Sequence, residues 1–164
     1  AIANERDVRP LLAPVVQIAA LYPDLQSAHQ LAGQIHARLR EPEAAYAAFA
    51  RALELAPANA ELQNLAGTAA AMGGDLATAE PHFRRAVAQA PGEARFHLPL
   101  GDTLLKTGRL DEAEREFTTT LKLKLMAHEA NAGLGDIYAA RARATTDAAQ
   151  RDRLLQHAVD ELET

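Results

Sequence analysis

Four glycines, Gly33, Gly67, Gly101 and Gly135, stand at intervals of 34 residues. Ala45, Ala79 and Ala113 keep the same interval, and so do Phe49, Phe83 and Phe117. Ala52 and Ala86 continue it, as do Pro57 and Pro91. Self-similarity at a fixed period of this length means that one supersecondary unit is repeated, and that each unit buries its apolar face against a neighbour. The charges between the fixed positions change freely from unit to unit, as expected of solvated faces.

Each period reads as two helices. The first helices run through "SAHQLAGQIHARL", "AELQNLAGTAAAM", "EARFHLPLGDTLL" and "EANAGLGDIYAAR", and the second through "EAAYAAFARALELA", "LATAEPHFRRAVAQA" and "LDEAEREFTTTLKL". Gly73–Gly74 and Gly108 supply the stop between them. Asp75 and Asp111 are placed at or near the caps of the second helices, and Pro57 and Pro91 end those helices. Ala is the commonest residue, aromatics make up 4% and Trp is absent, so the composition favours closely packed helices. The small residues predict a close helix crossing in which Gly67 faces Ala79. Phe83 is expected to fill the wedge beside the next hairpin, and Ala86 to admit that hairpin.

This pattern resembles the tetratricopeptide repeat (TPR) family. The matching residues are Gly33, Ala45, Phe49, Ala52 and Pro57; then Gly67, Ala79, Phe83, Ala86 and Pro91; then Leu100, Gly101, Gly108, Ala113 and Phe117; and finally Leu134, Gly135 and Tyr138. The resemblance implies an all-α, right-handed α-solenoid of stacked helix-turn-helix hairpins. Its repeats would occupy 26–59, 60–93 and 94–127, with a divergent fourth repeat and C-terminal capping helix over 128–164.

The flanks depart from the pattern. Residues 1–25 are expected to hold a helix left from a degenerate repeat or serving as a cap, with Val16 at the Phe position and Ala19 at the Ala position. Thr120 stands where Ala is expected and Leu125 where Pro is expected. In the last unit Leu155 and Ala158 align with Phe and Ala once about four residues are inserted, which predicts a longer inter-helix loop near Ala144–Asp147 and a final helix near 147–162. Pro14, Pro81 and Pro99 lie inside helical patterns and predict local kinks.

The formal net charge of −5 argues against a nucleic-acid partner. The absence of cysteine removes disulfides and thiolate metal sites, and no apolar run suits membrane insertion. The start, "AIANERDVRP", lacks a leader pattern and favours the cytoplasm, although without an initiator Met the chain reads as processed or cut from something longer. No nucleotide-binding or catalytic motif appears, so no enzymatic activity and no cofactor are expected. Six histidines raise the question of metal. His29 and His36 share a helix face, and His29 and His97 occupy equivalent places two units apart, too far to share an ion; packing or surface roles are expected for all six.

In the resembled family the first helices line a concave groove. Residues four apart on them point inward and form two rows here: Gln30, Asn64, Leu98 and Ala132, then Gln34, Thr68, Asp102 and Asp136. Arg38, Met72, Arg95 and Lys106 flank them. Amide side chains can donate to and accept from a bound backbone. The expected site is therefore Gln30, Gln34, Asn64, Thr68, Arg95, Asp102, Lys106 and Asp136, the expected ligand a polar protein or peptide segment, and the expected role a non-catalytic scaffold. One family subset grips acidic heat-shock chaperone tails with Lys, Asn and Arg. The matching places hold Gln30, Gln34, Leu65, Arg95 and Pro99, so chaperone tails are not expected. Another subset carries an Asn ladder, where this chain has Leu31, Leu65, Pro99 and Gly133. The alternatives are a substrate-recruiting region of a larger transferase and a self-association module.

Overall fold

The computed structural model describes residues 8–123 and 127–162. Among them every regular element is an α-helix: α1 (Arg9–Leu21), α2 (Gln26–Arg38), α3 (Pro42–Leu55), α4 (Ala60–Met72), α5 (Leu76–Gln89), α6 (Ala94–Lys106), α7 (Leu110–Lys122), α8 (Ala127–Ala144) and α9 (Ala148–Leu162). The chain forms two compact units, Ala1–Gln89 with α1–α5 and Ala90–Thr164 with α6–α9.

In the first unit each helix packs on the next, from α1 to α5. The turns inside the hairpins are built alike. The amides of Glu41 and Asp75 reach back to the carbonyls of His36 and Ala70, both at 3.0 Å. That bond, with a left-handed residue before it, closes a helix end whose last carbonyls would otherwise go unpaired. Gly74 takes the left-handed position with φ 84°, but Arg40 takes it with φ 60°. A side chain there crowds the following carbonyl at a cost of about 1–2 kcal/mol, partly offset by the backbone entropy that Gly gives up on folding. Arg40→Gly is expected to stabilise the first unit by roughly 0.5–1 kcal/mol. A urea midpoint that falls would refute this.

Asp75 caps α5 by accepting from the Thr78 amide at 3.0 Å and the Thr78 hydroxyl at 2.6 Å. The Thr78 hydroxyl, then its amide, hold the Asp75 carboxyl below the ordinary carboxylate range, while slight burial opposes them. Asp111 does not cap α7. It lies in the first turn, where Arg109 precedes the helix, and its carboxylate accepts from Arg141 at 2.6 Å.

The recurring Phe is buried at each site, and the recurring Gly faces its ring. A methyl group at Gly33 would lie 2.6 Å from the Phe49 ring, and one at Gly67 2.8 Å from the Phe83 ring. The close approach expected at Gly67 makes room for an aromatic edge. Ala52 does receive the next hairpin, in a core shared with Leu62, Ala66 and Ala69 of α4. In the second unit Phe117 lies between two glycines. A methyl at Gly101 would come within 2.7 Å of its ring and one at Gly133 within 2.4 Å.

Three expectations at the flanks change. Val15, 34 residues before Phe49, is the buried aliphatic residue of α1, packed with Val8, Ala32 and Ile35, whereas Val16 is 47% exposed. The insertion in the last repeat lengthens α8 to 18 residues, against 13 in α6, and leaves residues 145–147 as a short link rather than a long loop. Residue 142, 34 after Gly108, is a buried Ala, so nothing stops the helix there. Leu155 is 46% exposed and fills no core position, although Ala158 is buried. Thr120 is wholly buried and returns its hydroxyl to the Glu116 carbonyl at 3.1 Å, which is how a hydroxyl takes an Ala place inside a helix. Leu125 lies outside the described residues. Helices α1, α5 and α6 run on through Pro14, Pro81 and Pro99.

Candidate functional site

Polar side chains buried behind the expected groove come first, because they decide what the first helices can present. In the first unit the Gln63 amide donates to the Pro57 carbonyl at 3.3 Å and accepts from Nδ1 of His82 at 2.7 Å. His82 in turn accepts from the Tyr46 hydroxyl at 3.2 Å, with the two rings edge to face. His29 holds the Pro23 carbonyl at 2.9 Å in the way Gln63 holds Pro57. In the second unit His97 holds the Pro91 carbonyl at 2.9 Å through Nε2, while Nδ1 meets Glu116 at 2.7 Å. Residues 29, 63 and 97 thus tie a first helix to the turn before it, and two of them also tie it to its second helix. His36 meets Glu41 at 2.7 Å. These histidines have structural partners. The 34-residue spacing of positions 29, 63 and 97 was visible in the sequence, but nothing local revealed that the proline carbonyl was the acceptor.

Burial, then the nearby Arg85 guanidinium, push the His82 imidazole below its ordinary value. The folded state therefore favours neutral His82. Its stabilising contribution is complete above the unfolded value of about 6.5 and is lost as the pH falls through the lower folded value. Between pH 7.5 and 5 the native chain should lose more of its urea midpoint than His82→Gln. Parallel curves would remove His82 as a cause.

The expected groove residues divide into free and committed groups. In the first unit Gln30 accepts from Gln26 at 2.8 Å, and the Thr68 hydroxyl donates to the Asn64 carbonyl at 2.8 Å within α4. The Asn64 side-chain oxygen is buried without a hydrogen bond. Gln34 is exposed and opens onto a cleft of about 360 Å³ between α1, α2 and α4, with Leu11, Leu31, Ile35, Arg38 and Leu65 in its walls. The two leucines one place after Gln30 and Asn64 therefore shape this face, which is more apolar than the expected polar surface.

In the second unit the charges of Asp102 and Asp136 act on each other. Burial raises the Asp102 carboxyl above the ordinary range, Lys106 opposes that, and the Asp136 charge adds to it. Arg95 is occupied elsewhere, 3.2 Å from Glu93 and 4.7 Å above the Phe96 ring. On another side of this unit Arg141 spans Asp111 and Glu114 at 2.6 and 2.7 Å. No three metal-ligating side chains converge among the described residues, and no helix there is long and apolar enough to cross a membrane.

Family models described as tetratricopeptide repeat match residues 31–94 and 98–158, and a further one matches 70–125. The chain belongs to the tetratricopeptide repeat family. No curated protein matches this TPR chain. Among solved structures it is similar to MamA from Desulfovibrio magneticus RS-1, with 18% identity, TM-score 0.79 and coverage of 93% of this chain and 82% of that one. It is similar to YrrB, a TPR protein with an unusual peptide-binding site, at 21% identity, TM-score 0.79 and coverage of 99% and 81%. It is also similar to the second TPR domain of human RPAP3 in complex with the HSP70 peptide SGPTIEEVD, at 22% identity, TM-score 0.63 and coverage of 66% and 91%. At these identities the likeness establishes the all-α TPR fold. The expected exclusion of chaperone tails gains no support from neighbours of this kind.

Proposed function

We propose that this TPR chain is a non-catalytic protein-interaction module that binds extended segments of a partner along the first helices of each unit, α2 and α4 in one and α6 and α8 in the other. The observation that carries the reading is the open face of α2 and α4, where the uncommitted Gln34 amide stands beside a cleft large enough to take a side chain. Peptide binding by YrrB and RPAP3 supports it by analogy of fold. The residues assigned to the partner are Gln34, with Gln30, Asn64 and Thr68 around it, and Asp102, Asp136 and Lys106 in the second unit. Arg95 contributes once its contact with Glu93 is exchanged for the partner.

The test is a paired capture from lysate of the source organism, with the native chain and with Gln34, Thr68 and Asp102 all changed to Arg. Gln34 and Thr68 are exposed and Asp102 reaches solvent from a partly desolvated site, so the fold should survive, which a far-ultraviolet circular dichroism melt would verify. A partner retained only by the native chain supports the reading. Equal capture moves the binding surface to the second helices or the ends. Self-association is a second reading, favoured by the outer face of α1, where Ile18, Leu21 and Tyr22 are exposed. Light scattering at high concentration checks it, and a strict monomer dismisses it.

A further inference from the structure

The cleft between α1, α2 and α4 has a more specific chemistry than a general peptide groove. Its volume of about 360 Å³ falls at the lower end of the ~300–1,000 Å³ of pockets that hold small ligands. Its walls are mostly aliphatic. Leu11 and Leu31 remain 56% and 47% exposed, an unfavourable arrangement unless another apolar group covers them. None of the described lining residues is acidic. Among the described residues the one charge in the wall is Arg38, which is exposed and has neither an ion pair nor a hydrogen bond with another described residue. A guanidinium keeps its charge at any physiological pH and presents a planar fork that fits a carboxylate.

Leu31, Gln34 and Arg38 follow one another on a single face of α2 at the i, i+3, i+7 spacing of a helix stripe. From Leu31 to Arg38 the helix rises about 10 Å at ~1.5 Å per residue. An extended peptide covers that distance in about three residues at ~3.3 Å each. Gln34 stands between the two ends, where its amide can pair with the peptide backbone in both senses. The geometry points to a ligand-binding subsite for an extended peptide in which an apolar side chain enters the cleft and a carboxylate two or three residues away pairs with Arg38. This rests on the interaction-module reading and names the ligand chemistry for one of its faces.

The probe is a library of random twelve-residue peptides displayed on phage and selected on the full chain. Selected peptides should carry Leu, Ile, Met or Phe with Asp or Glu two or three residues away. A selected peptide should lose about tenfold or more in affinity on Arg38→Glu, as loss of a charge-assisted pair and addition of a repulsion imply, and less on Arg38→Gln. Selection on Arg38→Glu should shift toward Lys and Arg. Leu31→Ser should weaken binding without altering the charge preference. Unchanged circular dichroism melts would show that these surface variants fold.

Peptides that bind native and Arg38→Glu chains equally overturn the subsite and leave the interaction module standing. Failure to select any peptide overturns the subsite and counts against the module as well. A dimer in light scattering that Leu11→Ser or Leu31→Ser dissolves gives the cleft to a second copy and also overturns the subsite.

Discussion

Phe117→Ala is expected to destabilise the second unit by about 3–5 kcal/mol, the usual cost of removing a fully buried aromatic ring. The ring is wholly inaccessible and lies against Gly101 of α6 and Gly133 of α8. Neither glycine has a side chain that could swing in to fill the space, so the cavity term should be near its upper end. Domains of this size hold a net stability of about 5–15 kcal/mol, so the loss would consume a large share of it. Urea unfolding gives the magnitude, and amide exchange gives its place, with the protection of α6, α7 and α8 falling most. A loss under about 1 kcal/mol would mean that the ring is not the post on which these three helices lean.

Ala79→Leu is expected to cost about 1–3 kcal/mol by the opposite mechanism, overpacking. Ala79 on α5 has no accessible surface, and α5 packs directly on α4. Three additional carbon atoms must push the helices apart or distort rotamers. Ala47→Leu is the paired control, because Ala47 on α3 is exposed and a surface substitution normally stays within about 0.5 kcal/mol. The contrast between the two melting temperatures carries the test, since both variants gain the same side chain with the same helix propensity. Equal melting temperatures would mean that the repeat frame is misassigned.

The candidate site was less legible than the fold. Position on the first helices put Gln34, Asp102 and Asp136 among the expected groove residues, because a helix period places residues four apart on one face. It did not separate free groups from committed ones. Thr68 gives its hydroxyl to its own helix, Gln30 is paired with Gln26, and Arg95 is paired with Glu93. Leu31 and Leu65 were read only as a missing Asn ladder, although they line the cleft beside Gln34.

The sequence by itself determined the period, the helical hairpins, their Pro ends and their Gly turns. Each of these depends on a local constraint: a proline without an amide hydrogen, a left-handed turn residue, a run of good helix formers. Tertiary structure alone decided that the Phe83 ring fills the space beside Gly67 and that α8 absorbs the inserted residues. It also paired His97 with Glu116 and the Pro91 carbonyl. These outcomes depend on which surfaces of different helices meet, and on the burial and hydrogen-bond partners that follow. Residues far apart in the chain share those terms, so no single segment encodes them.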